Sequence, residues 1–124
     1  MLAYVTLGTR DLNRAAAFYD ELLTIINAKR TMEVPDQFIA WGNSEHGAGL
    51  GITYPFNKEP ATVGNGVMAA LHASTREQVD AIHTQALKLG GTCEGAPGQR
   101  FPSFYAAYFR DLDGNKLNAC YFGE

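Results

Sequence analysis

Apolar residues recur along this chain with two different periods, and the alternation between them predicts the order of its elements. "AYVTLG" is a short β-prone run ending at Gly8, and Asp11 follows as a helix cap. From there Leu12, Ala15, Ala16, Tyr19, Leu22, Leu23 and Ile26 return at helical spacing. Three strand-like pieces come next: about Ala28 to Glu33, Gln37 to Gly42 beyond Pro35 and Asp36, and "GLGITY" after the glycine-rich turn at Gly47. The first half therefore reads βαβββ.

A linker carrying Pro55, Pro60, Gly64 and Gly66 separates this half from a second run of the same order. "VMAALHA" predicts a strand, and Ser74 with Glu77 has capping-box spacing at the start of a helix whose apolar stripe is Val79, Ile82, Ala86 and Leu89. Gly90 and Gly91 close it. "GGTCEGA", "FYAAYFRD" and "KLNACYF" predict three further strands, the last two joined by the turn "DLDGN". A repeated element order with a period near half the chain implies two copies of one unit. Module one spans about 1–55, the linker about 55–65 and module two about 66–124, within one α+β domain. A curved four-stranded sheet with a helix on its convex side leaves the concave side bare, so two such units set together enclose a cavity between them.

Composition removes several function classes. At 124 residues, with 46% hydrophobic and 19% charged, the chain can bury a core without disulfides or metal staples. Its net charge of -3 is mild and its Lys and Arg residues are scattered, which excludes a nucleic-acid-binding stripe. No apolar stretch is long enough to span a membrane, and the N-terminus lacks signal-peptide patterning, so a cytoplasmic location is expected. Cys93 and Cys120 stand far apart without a C-x-x-C motif and read as free thiols.

Three segments, "YVTLGTRDLNRAAAFYDELL", "GNGVMAALHASTREQVDAIHTQALKLGG" and "YAAYFRDLDGNKLNACYF", resemble the vicinal oxygen chelate superfamily, the glyoxalase/bleomycin resistance/dioxygenase group, and within it the small glyoxalase-like proteins. The resemblance runs nearly end to end and implies two βαβββ modules forming a curved mixed sheet around a central cavity. In metal-dependent members, such as lactoylglutathione lyase and extradiol dioxygenases, the ligands stand on the first, fourth, fifth and eighth strands. Those places fall here on Tyr4, Gly51, Met68 and Asn118. Gly51 has no side chain, Met68 offers a soft thioether, Asn118 a neutral amide, and Tyr4 a phenol with an ordinary pKa near 10. The resemblance thus implies the fold and cavity of relatives that commonly bind Zn, Ni, Mn or Fe, while these four residues predict no cofactor and no metal.

Strand parity adds a lining to that cavity. Thr6, Gly49, Thr53, Ala70, His72, Lys116, Cys120 and Phe122 share faces with the four ligand positions. His72 is the candidate catalytic residue, because imidazole is the side chain suited to proton exchange at physiological pH, and Cys120 is either a nucleophile served by it or an inert buried thiol. His83 reads as helix packing, and His46 belongs to a loop. Either Phe104 and Tyr108 or Tyr105 and Phe109 face the cavity, with Arg100 at its mouth, an arrangement suited to a planar ligand with an anionic group. Trp41 faces either the cavity or the helix. Leu112 stands where relatives commonly have Pro, and Asp111 and Asp113 read as turn formers.

The expectation is a homodimer that binds a small organic molecule in the inter-module cavity, with no nucleic-acid or membrane partner. Two alternatives stay open: a lactoylglutathione lyase or extradiol dioxygenase type of enzyme with ligands relocated to His72, His46, Tyr4 and Asn118, and a dimeric interaction module whose cavity has collapsed.

Overall fold

Asp11 sets the first helix. In the computed structural model, which describes residues 1–45 and 47–123, β1 (Tyr4–Gly8) runs into α1 (Leu12–Leu23), and the Asp11 carboxylate accepts the Arg14 backbone N–H at 3.0 Å. The helix buries the expected stripe and adds Phe18 to it. The stripe continues to Ile26 in sequence, but the helix tightens there into a 3-10 turn, Thr24–Ile26. The Thr24 hydroxyl donates to the Glu21 carbonyl at 2.7 Å, and Asn27 leaves in a left-handed conformation with φ 59°. β2 (Lys29–Val34), β3 (Phe38–Gly42) and β4 (Gly49–Thr53) complete a sheet of order β1-β4-β3-β2, with β1 parallel to β4.

Module two repeats the plan. β5 (Ala69–His72), α2 (Arg76–Lys88), β6 (Thr92–Phe101), β7 (Phe104–Arg110) and β8 (Lys116–Phe122) give the order β5-β8-β7-β6, with β5 parallel to β8. The cap of α2 lies one residue later than its spacing suggested: Thr75, not Ser74, accepts the Gln78 N–H at 3.1 Å. Gln78 in turn accepts the Ser74 N–H at 2.7 Å, reaching back to the residue before the cap in a variant of the box shifted by one residue. β6 is longer than expected, continuing through Pro97 to Phe101. Its ladder with β7 skips from Gly95 to Gly98, which lets Pro97 sit in an irregularity where no N–H is required.

One face of each sheet carries the helices. Leu7, Ile39, Leu50 and Ile52 of the first sheet and Leu71, Phe109 and Leu117 of the second join both helices in one continuous apolar cluster. Trp41 belongs to it, 1% exposed, with its indole N–H donating to Asp20 Oδ1 at 2.9 Å; the single tryptophan therefore faces the helix. His83 and Tyr105 also lie on this side. His83 is buried with Nε2 3.3 Å from Cys93 Sγ, and burial lowers its pKa.

The turn between β7 and β8 ties the modules together. Thr9 donates to Asp113 Oδ2 at 2.6 Å, the Arg10 backbone N–H to Asp113 Oδ1 at 3.0 Å, and Asn115 Nδ2 to the Gly8 carbonyl at 2.8 Å. Tyr19 of α1 donates to buried Asp111, whose other oxygen accepts the N–H groups of Asp113 and Asn115. Asp111 and Asp113 form the turn and also join it to module one, Asp111 through Tyr19 of α1 and Asp113 through Thr9 and Arg10 beyond β1.

Candidate functional site

The faces turned away from the helices hold the residues that could meet a ligand. On the first sheet the ladder places Tyr4 beside Gly49, Thr6 beside Gly51, and Thr53 beside Phe38. On the second, Ala70 and Tyr108 both stand beside Asn118, while His72 and Ala106 stand beside Cys120. Paired residues point to the same side of a sheet, so these two sets define the two non-helical faces. Tyr4 is 59% and Met68 42% exposed.

The residues named from the sequence do not all meet in one pocket. A cavity of about 410 Å³ between β1, β4 and β5 contains Thr6 and Met68. Tyr4 lines a separate one of about 360 Å³ with Phe38, Ala40 and Gly49. His72 borders a third, of about 310 Å³, with Trp41 and Leu50. Of the aromatic alternatives, Phe104 and Tyr108 take the non-helical face. Tyr105 lies against α2, where its hydroxyl donates to Asp80 at 2.7 Å and its pKa is raised by that bond. His46 lies outside the described residues. Cys120 is buried and its thiol is pushed up by desolvation, which keeps it protonated; it donates toward the Leu71 carbonyl at 3.7 Å rather than to His72.

Sequence reasoning missed two features of these faces. The Phe38 ring lies over Gly51, so a Cβ placed there would meet Phe38 Cε2 at 2.5 Å. The ring thus occupies the space a longer side chain would use. Glycines at 49 and 51 on one face of a buried strand were the available signal that something bulky crosses it. Arg100, expected at a cavity mouth, instead lies back along β6 toward Tyr108, with its guanidinium carbon 5.4 Å from the ring centroid. Lys116 Nζ is 5.6 Å from the same centroid.

A divalent ion does not fit the four family positions. Gly51 contributes nothing and is roofed by Phe38, Met68 and Asn118 supply no charge, and Tyr4 brings a phenol that lines a different pocket from Met68. Among the described residues no group of three or more His, Cys, Asp or Glu side chains is placed to hold a metal. Asn118 is 2% exposed, and its Oδ1 is buried without a hydrogen-bond partner among the described residues.

The sequence matches the Glyoxalase/Bleomycin resistance protein/Dioxygenase superfamily over residues 1–119. A glyoxalase/bleomycin resistance protein from Albidiferax ferrireducens T118 is 38% identical, with 97% of each chain covered and a TM-score of 0.88. The chain is also similar to hypothetical protein SA1046 from S. aureus, at 23% identity over 98% of this chain and 96% of that one, TM-score 0.72. Lactoylglutathione lyase from Agrobacterium tumefaciens is 21% identical over 97% of this chain and 92% of its own, TM-score 0.69. The last two likenesses speak for the fold alone. No curated protein matches the sequence. With a match over nearly its whole length and both βαβββ modules in place, the chain belongs to the glyoxalase/bleomycin resistance protein/dioxygenase superfamily.

Proposed function

We propose that this protein binds a small organic molecule on its non-helical sheet faces without a divalent metal, and that it does so as a homodimer. The observation that carries the reading is the replacement of a donor set by a different one: Phe38 roofs Gly51, and Asn118 presents a buried, unpartnered amide oxygen where a charged ligand would stand. Such a face offers shape, aromatic area and hydrogen bonding, the usual means of a small-molecule site. Apolar exposure on the same faces supports the dimer. Tyr4, Met68, Phe101 and Phe122 are all more than 40% exposed, and Phe122 packs against Phe104 at the sheet margin.

The test is thermal melting against aromatic acids, glycopeptide-type drugs and thiol conjugates, each with chelator and with added Zn, Ni, Mn or Fe. At least one organic class is expected to raise Tm, unaltered by chelator. Stoichiometric tightly held transition metal in the purified protein, or ligand stabilisation abolished by chelator, overturns the metal-free reading. Sedimentation of a monomer at micromolar concentration overturns the dimer.

A further inference from the structure

The non-helical face of the second sheet is built around one ring. Tyr108 is half-buried in β7 and receives two cations, Arg100 at 5.4 Å and Lys116 at 5.6 Å from its centroid. Among the described residues neither cation is in an ion pair. The nearby carboxylate, Glu94, accepts from Arg110 Nε and feels Lys116 only as a weaker, through-space attraction. Arg100 gives one nitrogen to the Ala96 carbonyl at 2.6 Å, which leaves the rest of its planar fork without an acceptor among the described residues.

The backbone is shaped for this placement. A Cβ at Gly98 would come 2.9 Å from Arg100 Nη1, and one at Gly95 would come 3.2 Å from Arg100 Nη2 and 3.1 Å from Tyr108 Cδ2. Two glycines on one strand therefore clear the path along which the guanidinium reaches the ring. Beside Tyr108 in the next strand stands Asn118, whose buried Oδ1 lacks a donor, an arrangement that is unfavourable unless something supplies one. Two like charges gathered on one ring, together with a starved acceptor next to it, describe a surface complementary to an anion attached to a flat, hydrogen-bonding body.

The geometry points to an aromatic carboxylate as the ligand class, with its carboxylate received by Arg100 and Lys116, its ring lying along Tyr108 and a polar substituent donating to Asn118. Arg100 supplies the directional, fork-like contact and Lys116 a point charge. This assignment rests on the small-molecule reading above and narrows it to one chemistry.

Calorimetric titration of the full chain with 2-naphthoate and with 2-naphthamide isolates the charge, since the two differ little in shape. The carboxylate is expected to bind about tenfold more tightly than the amide, and this preference is expected to fall below about twofold in the Arg100→Gln/Lys116→Gln variant. Gly98→Ala, which displaces the guanidinium but keeps its charge, is expected to lose about half of the preference on a logarithmic scale. Melting curves establish that each variant is folded, and Lys88→Gln on α2 serves as the charge control. Equal binding of the two probes, or a preference that survives the double substitution, overturns the anion subsite while leaving small-molecule binding in place. Binding of neither probe overturns the aromatic-acid class, and the wider ligand screen then decides the function separately.

Discussion

Keeping a buried acceptor unsatisfied works against stability, and Asn118 does so in the middle of β8. Its replacement by leucine, close in volume and without polar atoms, is therefore expected to stabilise the protein by about 1 kcal/mol, or about 4 °C in Tm. The same substitution is expected to weaken ligand binding, so melting and titration should move in opposite directions; a loss of both would make Asn118 a purely structural residue. The residues standing at the family's ligand positions came from the resemblance, and strand parity added only which neighbours share their faces. The roofing of Gly51 was not, since Phe38 reaches it diagonally from the neighbouring strand and no local pattern encodes the direction of a ring. Arg100 illustrates the same limit: the sequence placed it ahead of β7 at a cavity mouth, whereas it belongs to the extended β6 and folds back over Gly98, which depends on an irregular ladder.

At the level of elements, α2 shows how near-equivalent signals compete. Ser74 and Thr75 are both good cap residues, and Glu77 and Gln78 both suit the third helical position, so the sequence offers two registers one residue apart. The structure uses the second. Thr75→Ala is accordingly expected to cost about 1 kcal/mol in denaturant unfolding, and Ser74→Ala only a few tenths. β6 was half seen for a related reason: Pro97 argues against a regular strand, and only the skipped pairing between Gly95 and Gly98 reconciles it with one. The βαβββ order survived both errors because the apolar stripes of α1 and α2 and the turn residues between strands are strong, independent signals.

For the molecule as a whole, the polar join at the β7–β8 turn makes the two modules one folding unit. Asp113 accepts from Thr9, from the Arg10 backbone and from Arg14, so Asp113→Ala strands several donors at once and is expected to cost about 2–3 kcal/mol while leaving a single unfolding transition. Tyr19 gives this join an alkaline limit. Burial and the adjacent Asp111 hold its pKa well above the ordinary phenol value, so the folded state keeps a proton that the unfolded chain releases near pH 10. The stability is fully present below that pH and is lost as pH rises toward the folded value. Tyr19→Phe is expected to be less stable at neutral pH by about 1 kcal/mol but to show a flatter decline above pH 10, measured by urea unfolding across that range.

The ring over Gly51 also constrains how this scaffold could change. A glutamate introduced at 51 has to push the Phe38 ring aside, because its first carbon already meets Phe38 Cε2 at 2.5 Å. Any path from this chain to a cation-binding cousin therefore has to move or shorten residue 38 as it installs a carboxylate, so space counts in that change alongside charge.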